Sequence, residues 1–114
     1  MENSETSYQK YIKKSFFKSL DADEREKYLG YIKNMHSLII DLVANMIKEK
    51  NDIFADKTIE NFVLKLVDIK KYIDLDEWKY YIIDTILERP GVEYSEIKVT
   101  EYINYLFDKH KENR

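Results

Sequence analysis

Apolar residues recur along this chain with the 3.6-residue period of amphipathic helices, in five segments separated by short polar breaks. The first segment runs from about Ser7 to Leu20, with Tyr8, Ile12, Phe16 and Leu20 spaced four apart on one side. Asp21-Ala22-Asp23-Glu24 follows and predicts a helix start, because acids there complement the N-terminal dipole. The second helix is expected from about Asp23 to Lys50, roughly 40 Å long at 1.5 Å per residue. Its stripe is Leu29, Ile32, Met35, Ile39, Leu42, Val43 and Met46, widened by Leu38 and Ile40; Lys33, Asn34, Asp41, Asn45 and Lys48 form the polar strip.

After a turn over 51–56, Asp56 is placed to cap a third helix ending near Tyr72. Ile59, Phe62, Val63, Leu66, Ile69 and Ile73 make its buried face. A break at Asp74-Leu75-Asp76 opens a fourth helix, stopped by Pro90-Gly91. This helix has two apolar faces, Leu75, Trp78, Ile82 and Ile86 on one and Tyr80, Ile83 and Leu87 on the other, so it is expected to be covered on two sides. A fifth helix runs from about Ser95 to Lys109, with Val99, Tyr102, Ile103 and Leu106 facing in. Hairpin dipeptides and period-two runs are missing. The expectation is an all-α fold: one compact four- to five-helix bundle with a long central second helix, in a single domain over 1–114, with polar tails at 1–6 and 110–114.

Composition narrows the chemistry. The chain has no cysteine, two histidines and two glycines, so thiolate metal sites and Gly-rich phosphate loops are excluded. His36 falls inside the apolar arc of the second helix. A phosphotransfer histidine keeps a lysine and a glycine close behind it, whereas here Ser37-Leu38-Ile39-Ile40 follows. The expected role is therefore a core histidine bonded to a neighbour, while His110 is expected to be solvated in a charged tail. Neither histidine has the Glu-x-x-His spacing of a di-metal bundle. Asp21-Ala22-Asp23-Glu24 and Asp74-Leu75-Asp76-Glu77 lack the glycine and the closing glutamate of a calcium loop. Asp84 and Glu88 are one turn apart on a polar arc, with no nucleophile beside them. No metal, no cofactor and no catalytic residue is expected, and the protein reads as a non-enzyme.

The formal charge of −3 offers no general attraction to nucleic acid or anionic membrane. Lysines number 16 against three arginines. With abundant Lys, Ile, Tyr and Asn, this usage matches AT-rich codons and suggests a low-GC bacterium, its phage or a plasmid. The polar, acidic start has no signal-peptide character, and no apolar run spans a membrane, so a cytoplasmic protein is expected.

Two surfaces stand out. In the first helix Lys10, Lys13, Lys14 and Lys18 supply positive charge with no acid between Tyr8 and Leu20, and Phe17 lies one turn from Lys13 and Lys14. An aromatic ringed by lysines suits a partner with an acidic surface. Tyr31, Tyr72, Tyr81, Tyr94 and Tyr105, among the ten tyrosines, lie off the apolar stripes, where tyrosine favours half-buried edges and interfaces. The second surface is 86–97, which compares with a helix-turn-helix through Gly91-Val92 and the anchor position Ile97. Arg89, Ser95 and Lys98 would be its DNA contacts, against Glu93, Glu96 and Glu101, which repel phosphate. In size and composition the chain resembles small helical anti-defence proteins, bacteriocin immunity proteins and antitoxins. The expected function is a non-enzymatic protein-binding module, a small inhibitor or regulator encoded by a phage or mobile element; the alternative is a DNA-binding regulator using the fifth helix. Broad apolar faces on the second and fourth helices further predict a homodimer.

Overall fold

A computed structural model describes residues 8–89 and 93–112. The described residues are all-α, with five helices and no strand: α1 (Lys14–Lys18), α2 (Ala22–Lys48), α3 (Thr58–Asp68), α4 (Leu75–Leu87) and α5 (Glu96–Glu112). The stop assigned to Pro90-Gly91 and the turn of the helix-turn-helix comparison lie outside the described residues, as does the segment before Tyr8.

Local chemistry sets the helix ends. Asp21 caps α2 by accepting from the Glu24 N–H at 2.8 Å, while the Glu24 carboxylate accepts from the Asp21 N–H at 3.0 Å. These reciprocal bonds satisfy two otherwise orphaned donors. At the far end Lys50 takes a left-handed φ of 59°. Its N–H donates to Ile47 at 3.0 Å and the Asn51 N–H to Met46 at 2.9 Å. These are the two bonds of a Schellman stop, formed here by a lysine where glycine is usual. Asp74 caps α4 through the Glu77 N–H, so both acidic runs are helix starts. Asp56, expected to cap α3, does not: it accepts from the Thr58 N–H at 2.8 Å in the turn before the helix, and α3 begins after Lys57 with no side-chain cap.

α2 packs against α3 and α4, and α5 packs against the same pair. α3 and α4 are thus covered by two neighbours each, which accounts for their high apolar content. Trp78, Ile82 and Ile86 of α4, Ile59, Val63 and Leu66 of α3, Ile39 and Val43 of α2, and Val99 and Ile103 of α5 are fully enclosed. Of the second face expected on α4, Ile83 is buried, Leu87 is half-buried and Tyr80 is exposed. On α2, Leu38 is exposed and Ile40 half-buried.

The first helix departs from expectation. The four-residue repeat from Tyr8 does not continue as one helix: the chain turns at Lys10–Tyr11, and Ile12 pairs with Ile73 in a single antiparallel bridge. The Lys13 N–H donates to the Tyr72 carbonyl and the Asp74 N–H to the Tyr11 carbonyl, each at 2.9 Å. Tyr8 and Gln9 are helical, the helix breaks over residues 10–13, and it resumes only over Lys14–Lys18. The third helix correspondingly ends at Asp68, four residues early, and Ile69–Tyr72 follow as tight turns that bring Ile73 alongside Ile12. Backbone pairing with a remote segment replaces the last turn of the expected third helix and interrupts the expected first one, which a local periodicity cannot reveal. The fifth helix runs past Lys109 to Glu112, so the tail expected from residue 110 is helical there.

Candidate functional site

The bridge between Ile12 and Ile73 forms the floor of a surface groove of about 350 Å³. α2 supplies Lys27, Tyr28, Tyr31 and Ile32 to its lining. The segment after α3 supplies Ile69 and Tyr72, and α1 supplies Phe16. Phe16 holds the aromatic wall together, meeting Tyr28 edge to face at 5.2 Å and Tyr72 at 4.7 Å. Tyr31 and Tyr72 remain 47% and 46% exposed, so nearly half of each large side chain is offered to solvent beside an apolar floor. The described lining carries no carboxylate, histidine or thiol.

Ile73 also lines an adjoining hollow of about 410 Å³, shared with Lys13, Lys70, Lys71, Lys111, Asp74, Leu75 and Asp76. Asp74 is engaged in capping α4, and Asp76 lies 3.9 Å from Lys79. On the α2 side, Lys27 and Tyr31 border a further hollow with Asp23 and Glu26. The groove therefore has a lysine-rich flank along the α3–α4 turn and an acidic flank at the start of α2.

The residues expected to form a binding face are distributed differently. Phe17 is buried, 7% exposed, with the Arg25 guanidinium 5.1 Å from its ring centre. Arg25 also donates to the carbonyls of Phe17 and Lys18, closing the end of α1. The turn before α1 shifts the helical phase, so Phe17 faces inward, and it is not the exposed anchor inferred from a continuous helix. Phe16, expected on the buried side, reaches the groove instead. Lys10, Lys13, Lys14 and Lys18 are all exposed. Lys13 joins the lysine-rich hollow, while Lys10 lies 3.9 Å from Glu77 and over the Tyr11 ring.

In the second surface, the Ser95 hydroxyl accepts from the Lys98 N–H at 3.3 Å and caps α5. Lys98 is exposed, and Arg89 is half-buried with its Nε enclosed and unpaired among the described residues. Ile97 is 71% exposed and so does not anchor α5 to the core.

The histidines also differ from expectation. His36 is buried as expected, 8% exposed, but its Nε2 has no hydrogen-bond partner among the described residues. Four rings surround it. Tyr8, Tyr11 and Trp78 meet it edge to face at 5.0, 4.3 and 4.8 Å, and Tyr81 stacks on it at 3.9 Å. Burial, with Lys10 nearby, lowers its pKa to about 4, so it is neutral at physiological pH. Burial likewise pushes the Tyr11 phenol up to about 12. His110 is not solvated: its Nε2 lies 2.7 Å from Glu60 Oε2, and the Lys109 ammonium donates to the same oxygen at 3.2 Å. These bonds, that from His110 first, hold the Glu60 carboxyl below the usual carboxylate range and clasp α5 to α3.

Set against known protein families, characterised proteins and solved structures, the chain matches none. No helix among the described residues is long and apolar enough to cross a membrane, and no three His, Asp or Glu side chains there converge as metal ligands would.

Tyr31 and Tyr72 were marked in the sequence by lying off the apolar stripes. Tyr28, Phe16, Lys70 and Lys71 were not, and the signal that could have found them, the pairing of Ile12 with Ile73, is nonlocal.

Proposed function

We propose that this protein is a non-enzymatic protein-binding module, a small cytoplasmic inhibitor or regulator encoded by a phage or mobile element, and that the tyrosine-lined groove is its binding surface. The observation that carries this reading is the convergence of Phe16, Tyr28, Tyr31 and Tyr72, from three separate chain segments, around an apolar floor at the surface. Tyrosine presents large contact area at low entropic cost and is enriched where partners dock. The described lining is made of tyrosine, phenylalanine and isoleucine with one lysine, a composition suited to recognition. We also propose a homodimer through the outer face of α2, where Leu38 is exposed.

The test is capture from a lysate of the producing cell. Tyr31→Ala combined with Tyr72→Ala should leave the helical circular dichroism intact and abolish capture, since truncating an interface anchor costs about 2 kcal/mol or more, roughly thirtyfold in affinity. A double variant that retains the partner would place binding elsewhere. Salt-sensitive, sequence-specific DNA binding that falls with Lys98→Glu would instead favour the reading built on Arg89, Ser95 and Lys98.

A further inference from the structure

We infer that the groove takes an acidic segment of a partner protein, seating a large apolar or aromatic side chain over Ile12 and Ile73 with its carboxylates directed to the lysines beyond Ile73. This rests on the protein-binding reading above and adds the chemistry and direction of the occupant.

Ile73 borders both the groove and the lysine-lined hollow, so a side chain anchored over it is next to Lys13, Lys70 and Lys71. Among the described residues that hollow sets four lysines, Lys111 included, against Asp74 and Asp76, and Asp76 lies 3.9 Å from Lys79. The flank therefore presents surplus positive charge, which complementary carboxylates would neutralise. The opposite, α2 flank has Asp23 and Glu26 beyond Lys27 and Tyr31. An occupant acidic along its whole length would be repelled there. The segment is therefore acidic on one side of its anchor and neutral or basic on the other, and charge sets its orientation.

The same asymmetry argues against a nucleic-acid strand, whose phosphates continue past the anchored base on both sides and would meet Asp23 and Glu26. Among its described residues the lysine flank also carries no arginine, the residue suited to bidentate phosphate contacts.

The test starts from displayed random peptides of about a dozen residues, selected on the full chain and counter-selected on the Tyr31→Ala, Tyr72→Ala variant. Enriched sequences should carry one aromatic or large aliphatic residue with Asp or Glu concentrated on one side. In fluorescence anisotropy, a synthetic member should lose at least about tenfold affinity against Lys70→Glu with Lys71→Glu, and little against Lys48→Glu on the polar strip of α2. Moving its acids to the other side of the anchor should weaken it comparably.

Enrichment of basic or uncharged peptides, absence of enrichment, or tighter binding of an oligothymidylate than of the selected peptide would each overturn the inference. So would a chain dimer that Tyr31→Ala with Tyr72→Ala dissociates, because a second copy would then be the occupant. The two readings fail separately. If lysate capture depends on Tyr31 and Tyr72 but survives the Lys70→Glu, Lys71→Glu change, the acidic segment is wrong and the protein-binding module stands. If no protein is captured and no peptide is selected, both fall.

Discussion

His36 shows how one residue can be well packed and still costly. Its imidazole fills a box of Tyr8, Tyr11, Trp78 and Tyr81, yet its Nε2 and the Trp78 indole nitrogen are both enclosed without a partner among the described residues. Edge-to-face rings offer such groups an aromatic surface, a weak substitute for a hydrogen bond. The unfolded chain takes up the imidazole proton near pH 6.5, while the folded chain takes it up only near about 4. Between those values the unfolded state holds more protons, so stability should fall as pH is lowered through the window and be fully present above it. His36→Phe should remove this fall and, by deleting an unpaired buried nitrogen worth roughly 1–3 kcal/mol, leave the protein as stable or more so at neutral pH. Urea titrations at neutral pH and midway through the window would show both effects. A variant with the wild-type acid response would clear His36 of the cause.

At the scale of the element, α2 carries a strong start and a strained stop. Asp21→Ala removes the reciprocal bonds with Glu24 and should cost about 1 kcal/mol, within the usual range for a lost cap. Lys50→Gly should act in the opposite sense. A left-handed conformation costs a non-glycine residue roughly 1–2 kcal/mol, and glycine gives back part of that gain in unfolded-state entropy, so a net stabilisation of up to roughly 1 kcal/mol is expected. Paired denaturant midpoints for the two variants would check the signs; destabilisation by Lys50→Gly would show that its side chain contributes more than its backbone costs. The starts at Asp21 and Asp74 were legible in sequence because clustered acids favour a helix N-terminus, a local effect, whereas the cap expected of Asp56 is not made. The Schellman stop at Lys50 was not legible, since it lacks the glycine that announces one. The first helix departs from its periodicity for another reason: Tyr8, Ile12, Phe16 and Leu20 keep a helical spacing by residue type, but the backbone at Ile12 finds its partner at Ile73.

For the whole molecule, mutual coverage decides what stays exposed. α2 and α5 enclose α3 and α4, leaving Leu38 as the exposed apolar residue of the broad α2 face and Tyr80 on α4. Light scattering at micromolar concentration should give about twice the chain mass of 13.8 kDa, and Leu38→Asp should return it to that of one chain. A wild type that scatters as a single chain would show that Leu38 is an isolated surface residue of the kind common on monomers. Leu38 does not line the groove, so Tyr31→Ala with Tyr72→Ala should leave the mass unchanged.

By itself the sequence determined the helical class, the positions of α2 to α5 to within a few residues, the acidic helix starts and most of the core. These follow from periodicity and from bonds between residues three or four apart, which are local quantities. The tertiary structure alone decided which aromatics meet. Phe16 and Phe17 are adjacent in sequence, and either could have faced the solvent; the turn before Lys14 set the phase that buries Phe17 under Arg25 and turns Phe16 to the groove. The lysines that flank the groove likewise come from Lys13, Lys70 and Lys71, brought together when residues 11–13 lie along 72–74. Bringing together segments some sixty residues apart depends on which buried surfaces and backbone groups can be satisfied at once, and no window along the chain contains that information.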